Sequence, residues 1–486
     1  MVRFAANISL TILLLLFTHR AFSVGSIQRI GLPSPCMHTK WLLDYIKLHE
    51  NIIDGHQPPR YLVIRPYSNC GLGNRLQSIA GALFFAAITQ RALVIDWGFH
   101  FRRGKFLKDP PQKEGVYLEP HLINHSFEHF EHAVKFWEST NGSLVKTANI
   151  CYQHCDKAKE DVVFAGLDNP NSFFKLDMTF DDIALPQTQV VYMEGWNSGR
   201  KFIEHLWAQP AALLAARRLG FTREETVGGP AAAGAPDAAA GSVWGGCALR
   251  ILFRPSEKLS QTFCKEYRAL LPNKKAPLIG IHIRTNDKFG EYSNIHNSTS
   301  GISSMINRFF QCGKGIMDQI LELENDPLTF DLYQNLDEYE PATWLAGADK
   351  HNVVQLLQAA AGRHNVTVLA NPDHYRVHSG RGSAEDPLGP MLDMQMLSSS
   401  LFSLGSYYST FTCSVREFGI IPATQCQNFI TPFAQLFKDS RELSKKKEVQ
   451  FFEKSPYEAC KMMAQESLVD LFHFLEYQKP FVTCSA

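Results

Sequence analysis

The chain has 486 residues, 45% of them hydrophobic, with 48 basic and 48 acidic side chains and a formal net charge of zero. That length is too great for one compact core and suits two or three domains with ordinary apolar content. Balanced charge excludes a general field for nucleic acid, so any anion site must be local.

At the start, Met1, Val2 and Arg3 precede an apolar run from Ile8 to Phe17, which ends at Thr18-His19-Arg20 and is followed by Ala21-Phe22-Ser23. A bilayer span needs about 20 residues, and this run is shorter. Residues 1–23 therefore read as a cleaved signal peptide or a short signal anchor, either of which sends the rest into the lumen; a buried N-terminal helix is the structural alternative. The 11 cysteines scatter without a paired CxxC zinc pattern, which fits several disulfides in an oxidising compartment, and the odd count leaves one thiol free or paired elsewhere. Acceptor triplets for N-glycosylation begin at Asn124, Asn141, Asn297 and Asn365.

Residues 24–60 are expected to form a stem, rich in proline around one amphipathic helix near Trp41 to His49. A first α/β lobe is predicted over 61–250. Tyr61 to Ile64 reads as a buried strand, Ser68 to Gly73 as a turn, Asn74 to Arg91 as a helix, and Ala92 to Ile95 as a returning strand that ends at Asp96-Trp97. The glycine turn of such a unit lies at the carboxyl end of the sheet, where ligands bind. Residues 98–250 carry no readable motif, and the Gly/Ala-rich stretch 228–241 reads as a flexible loop.

A second lobe is predicted over 251–430, followed by a helical extension over 431–486. Pro277 to Arg284 reads as a strand and Ser304 to Glu322 as a helix. Thr343 to Ala346 and Val366 to Leu369 read as strands around a helix from Lys350 to Ala361, and Met391 to Phe402 and Ser414 to Ile421 complete the alternation. The fold class is thus α/β, two doubly wound Rossmann-like lobes with a cleft between them.

Three segments carry chemistry. In Cys70-Gly71-Leu72-Gly73-Asn74-Arg75, glycines at a strand-to-helix turn let backbone amides approach a diphosphate, although a turn needing positive φ would also explain them. In His282-Ile283-Arg284-Thr285-Asn286-Asp287-Lys288-Phe289-Gly290-Glu291, alternation puts His282 and Arg284 on one face. Arg284 can grip a diphosphate bidentately and neutralise a leaving group; a surface ion-pair cluster is the plainer account. Asp393, with the hydroxyl-rich run ending in Ser409-Thr410-Phe411-Thr412, offers a carboxylate for guanine N–H donors and a phosphate-binding helix start, or simply helix caps. The absence of GxxxxGK[ST] disfavours a P-loop enzyme.

Together, GLGNR at 71–75, LVIDW at 93–97, HIRTNDKFGE at 282–291 and the Asp393…Ser409-Thr410-Phe411 segment resemble the fucosyltransferase superfamily of α1,6-fucosyltransferases, nodulation fucosyltransferases and plant xyloglucan fucosyltransferases. The resemblance implies a GT-B-like architecture and an inverting, metal-independent transfer from GDP-fucose to a glycan or glycoprotein. It implies that Arg284 contacts the β-phosphate, that His282 lies near the guanine and Asp393 reads its edge, and that Ser409, Thr410 and Phe411 line the phosphate site. Gly71 and Gly73, with Asn74 and Arg75 of the same motif, would approach the diphosphate. Asp349 matches a family acid, where many relatives have two adjacent acids and this chain has Ala348-Asp349. α1,6-Fucosyltransferases carry Arg-Arg where this chain has Arg284-Thr285.

Asp287 and Glu291 are the candidates for a catalytic base beside Arg284. No cofactor or metal is expected. The expected partners are a GDP-sugar and a glycan acceptor, with no nucleic acid and with membrane contact only through a signal anchor. The expected address is the secretory-pathway lumen, in the Golgi. A transferase using another nucleotide sugar and an inactive glycan-binding relative are the alternatives. His121, His125, His129 and His132 have helical spacing for zinc, but with Glu128 and Glu131 they read as a solvated face. Cys151 and Cys155 read as disulfide partners rather than metal ligands.

Overall fold

The computed structural model describes residues 36, 40–66, 71–97, 99–102, 105–108, 114–141, 147–151, 162–164, 185–195, 199–223, 226, 244–271, 275–283, 299–324, 339–348, 351–370, 387–405, 411–412, 414–415, 455–458, 460–462, 464 and 484. Residues 1–23 and 228–241, with the expectations placed on them, lie outside. In chain order the elements are α1 (Lys40–Ile53), β1 (Tyr61–Pro66), α2 (Leu72–Ile88), β2 (Ala92–Ile95), β3 (Phe99–Arg102), β4 (Lys105–Lys108), the single turn α3 (Glu114–Tyr117), β5 (Leu118–Pro120) and α4 (Phe127–Asn141). Then come β6 (Thr147–Cys151), β7 (Val162–Phe164), β8 (Val190–Gly195), α5 (Gly199–Ala208), α6 (Pro210–Arg218), α7 (Trp244–Leu252), β9 (Phe253–Pro255) and α8 (Glu257–Leu270). The remainder is β10 (Ala276–Ile283), α9 (Thr299–Glu324), β11 (Tyr339–Ala348), α10 (His351–Ala361), a 3-10 turn (Gly362–His364), β12 (Thr367–Leu369), α11 (Leu388–Ser398) and β13 (Phe402–Gly405).

Two parallel sheets result, ordered β2-β1-β8-β6-β7 and β12-β11-β10-β13, so the chain is α/β as its sequence predicts. Strands such as Leu-Val-Ile in β2 are apolar without alternation because parallel sheets are covered on both faces. In each sheet the strand order reverses beside the first strand, between β1 and β8 and between β10 and β13. Ligands in such folds bind outside the carboxyl ends at that reversal.

Helix α2 is buried around nearly its whole circumference. It begins two residues earlier than the pattern suggests and ends at Ile88, not Arg91. Thr89 donates its hydroxyl to Phe85 O at 2.6 Å, and Gln90 turns left-handed at φ 55°. Arg91 then points inward, fully buried, and its guanidinium donates to Leu185 O at 2.7 Å, Thr188 O at 2.9 Å, and Tyr61 O and Gln189 O at 3.4 Å. One cation thereby binds four carbonyls at and just before the amino ends of β1 and β8; of these, Gln189 O also accepts from Tyr61 N at 2.7 Å and Leu185 O from Thr188 N at 2.9 Å. Its burial beside Arg60 lowers its pKa to about 9.

The helix expected in the stem is α1, and its Trp41, Leu42 and Tyr45 are part of the first sheet's core. It also closes the open edge of β2. Tyr45 donates to Arg91 O at 3.0 Å and accepts from Leu93 N at 3.1 Å, and His49 Nε2 meets Leu93 O at 3.0 Å. Farther along, Ile95 N donates to His125 O at 2.9 Å. Edge strands present unpaired amides that must be covered, and here side chains and a loop cover them. Three disulfides occur among the described residues, Cys36–Cys247, Cys264–Cys484 and Cys312–Cys460. Each closes a loop of more than a hundred residues, worth about 2–5 kcal/mol. Cys151 ends β6, and Cys155 lies outside the described residues.

Phe253–Pro255 falls in the range the sequence assigns to the second lobe, yet β9 pairs antiparallel with β5. The second sheet has its own core, where α9 and α10 pack over Ile279, Ile281 and Trp344. Helix α11 is largely apolar because it is buried around most of its circumference. Gly280 of β10 lies so close beneath it that a Cβ there would meet Ser400 Oγ at 2.9 Å and Leu397 O at 3.2 Å. Its methionines and leucines also join the first core.

Candidate functional site

The carboxyl end of β10 delivers His282, which is only 8% exposed. Its Nδ1 lies 3.1 Å from Thr412 Oγ1, and its ring stacks on Phe411 with centroids 4.5 Å apart. Gly405, at the end of β13, admits this arrangement: a Cβ there would overlap Thr412. Gly347 stands beside His282 on β11 in register. A methyl carbon at Gly347 would lie 3.8 Å from His282 Cδ2, 3.8 Å from Asp393 Oδ2 and 3.2 Å from Leu397 Cδ1. The imidazole and the Asp393 carboxylate therefore border one gap, which glycine keeps empty. Asp393 is the partly exposed member of an otherwise buried stretch of α11.

The glycine turn of the first sheet reaches the same region. Ser414 donates its hydroxyl to Gly73 O at 3.3 Å, and Val415 is fully buried in the first core. Gly71 caps α2 at φ −62°, ψ 156°, and an added Cβ there would meet nothing within 4 Å. Neither backbone strain nor crowding demands glycine at this position, so the positive-φ explanation of the motif fails for Gly71. Open space beside the first amides of a 17-residue helix suits an anion. Asn74 Oδ1 is enclosed and without a hydrogen-bond partner.

Arg75 is placed differently. Its guanidinium is buried against the equally buried carboxylate of Glu114, an ion pair that fixes α3 to α2. A second pair, Arg65 with Asp96 at 3.2 Å, joins the carboxyl ends of β1 and β2, with Arg65 also 4.2 Å above the Tyr192 ring. Asp96 belongs to the LVIDW segment, whereas nothing in the sequence singled out Arg65. Of the residues expected in the site, the structure gathers His282, Asp393 and Phe411, and puts Gly71, Gly73 and Asn74 at the neighbouring turn. Arg284, Asp287, Glu291, Asp349, Ser409 and Thr410 lie outside the described residues.

The histidines with helical spacing do not form one face. His125 precedes α4 and is buried, its Nε2 2.8 Å from Leu252 O, while His132 is exposed on the helix. Among the described residues, no three His, Cys, Asp or Glu side chains gather in a way that could hold a metal ion.

No family model matches this chain, and no curated protein matches it. Solved structures do. An Arabidopsis thaliana FUT1 mutant in complex with GDP matches at 15% identity with a TM-score of 0.44, over 79% of this chain and 78% of that one. POFUT1 in complex with GDP matches at 14% identity with a TM-score of 0.35, over 74% of this chain and 94% of that one. The NodZ α-1,6-fucosyltransferase soaked with GDP-fucose matches at 14% identity with a TM-score of 0.33, over 74% of this chain and 92% of that one. The solved structures this chain resembles thus include fucosyltransferases, the family that its motifs also resemble.

Proposed function

We propose that the chain is an inverting glycosyltransferase that moves fucose from GDP-fucose to a glycan or glycoprotein acceptor, without a metal, in the Golgi lumen. The observation that carries the reading is the gap at Gly347, bordered by Asp393 and by the imidazole of His282, at the carboxyl ends of β10 and β11 in the second sheet. A guanine edge offers two N–H donors, and a carboxylate accepts both. The nearby start of α2, with open space at Gly71, gives the diphosphate a set of backbone amides.

In this reading the acceptor hydroxyl oxygen attacks C1 of the sugar from the face opposite the diphosphate. The C1–O bond to the β-phosphate breaks, GDP leaves with the bonding pair, and the configuration at C1 inverts. Arg284 and the helix-start amides hold the growing negative charge, which commonly supplies the largest share of such catalysis. Asp287 or Glu291 takes the hydroxyl proton.

Thermal-shift and calorimetric titration with GDP, UDP and adenosine bisphosphate tests the donor class. GDP alone should raise the melting temperature, and Asp393→Ala should weaken GDP by roughly tenfold or more, since a charge-assisted bond is worth about 1.5–3 kcal/mol. Equal stabilisation by UDP, or none by GDP, would sink the reading. Transfer from labelled GDP-fucose should survive EDTA; complete loss restored by manganese would overturn metal independence.

A further inference from the structure

The turn between α10 and β12 is built on two anchors. His364 stacks flat on Phe310, centroids 4.6 Å apart and planes 2° apart, and Val366 is buried in the second core. Between them Asn365 is exposed, in the left-handed conformation at φ 55°, ψ 37°. Thr367, two residues on, is also exposed, while Val368 returns to the core. The backbone explains an asparagine at 365, because asparagine and glycine tolerate that conformation best. An exposed position at the start of β12 suits threonine, and with Asn365 it completes an acceptor triplet.

The surroundings give the triplet a use. β12 is an edge strand, paired with β11 on one side; no other strand among the described residues pairs with it, and Gln358 Nε2 reaches Val368 O at 3.4 Å. On the first sheet the edge strand β2 is closed by Tyr45, His49 and the loop at His125. Of the other acceptor triplets, Asn124 turns its Oδ1 back to Ser126 N at 3.3 Å.

We infer that Asn365 carries an N-linked oligosaccharide beside β12, an edge strand among the described residues, and that the oligosaccharide blocks pairing of that strand with other chains. This rests on the lumenal part of the function proposed above. In the modifying step the Asn365 Nδ2 forms a bond to C1 of the first N-acetylhexosamine of a lipid-diphosphate-linked oligosaccharide. The bond from C1 to the diphosphate oxygen breaks, and the lipid diphosphate leaves as the amide gives up one proton.

The full chain is expressed in glycosylating eukaryotic cells twice, once with its own N-terminus and once behind an added secretion leader, and peptides spanning Asn365 are read by mass spectrometry. Both proteins should carry the glycan at Asn365. Thr367→Val keeps the strand preference and Asn365→Gly keeps the left-handed turn; each should lose the glycan with the melting temperature little changed, and Thr367→Ser should restore it. Enzymatic deglycosylation and both glycan-less variants should raise light scattering of concentrated protein. An unmodified Asn365 behind the added leader overturns the site, whatever the address of the native chain. Modification only behind the added leader overturns the lumenal reading and native modification with it. Unchanged scattering after glycan removal overturns the shielding role.

Discussion

Thr412 Oγ1 stands 3.1 Å from His282 Nδ1, while the adjacent Phe411 ring stacks on the same imidazole. The hydroxyl can donate to that nitrogen or accept from it, so the contact holds the ring in place for either tautomer, and the stack fixes the ring plane. Removing it by Thr412→Val should weaken GDP about two- to tenfold, the range for one neutral hydrogen bond. Thr412→Ser keeps the hydroxyl beneath Gly405 and should bind GDP nearly normally. Equal affinities for the two variants in calorimetry would show that the contact does not serve the ligand.

The gap at Gly347 can be filled directly. Gly347→Val places branched carbons between Asp393 and His282, so GDP binding should fall at least tenfold while the fold persists. Gly313→Ala serves as the contrast, because its Cβ would overlap the buried Trp344 ring away from that gap. It should lower the melting temperature, and the protein that stays folded should retain its GDP affinity. A Gly347→Val protein with unaltered GDP affinity would remove this gap from the site.

Acid should destabilise the protein through His49 and His125. Both are fully buried, and burial lowers each pKa from 6.5 to about 4, partly opposed by bonds to Leu93 O and Leu252 O. Above pH 6.5 neither state binds the proton. Between about 6.5 and 4 the unfolded chain binds it and the folded one does not, so stability falls as pH falls and the loss levels off near pH 4. The cost approaches a few kcal/mol for each group, in order of magnitude. Melting temperatures from pH 7.5 to 4.5 should show this slope, and His49→Gln should flatten it. An unchanged slope in that variant would acquit His49.

Arg91→Met should be destabilising, by about 1–3 kcal/mol, as the buried carbonyls lose their shared donor. Its contacts lie at the amino ends of β1 and β8, opposite the candidate site. GDP affinity per folded molecule should therefore be preserved. A variant that melts normally but fails to bind GDP would contradict this assignment.

The parts of the fold legible in the sequence are those with strong local signals. The apolar runs of β1 and β2, with a glycine turn and an apolar helix between them, leave little choice of structure. β6 was not legible because Thr147-Ala148-Asn149-Ile150-Cys151 is short and half polar, and only its partners β8 and β7 make it a strand. Site residues with distinctive chemistry, His282 and Asp393, could be named from type and position. Gly347, Gly405 and Ser414 could not, because two of them matter for the room they leave and one for a single contact 341 residues away in the chain. Arg75 shows the converse: its place in a glycine motif suggests a ligand, but a carboxylate at Glu114, distant in sequence, takes its charge.

The three disulfides among the described residues fall into two groups along the chain. Cys36–Cys247 encloses every strand of the first sheet, and Cys264–Cys484 encloses every strand of the second, with Cys312–Cys460 nested inside it. Domains generally fold in the order of synthesis, N-terminal first, at about 5–20 residues per second. The first loop can be sealed as soon as Cys247 emerges from the ribosome, before any strand of the second sheet exists. Neither of these pairings has to wait for the other, and an oxidant acting on the nascent chain would meet the two sets of thiols in succession rather than together.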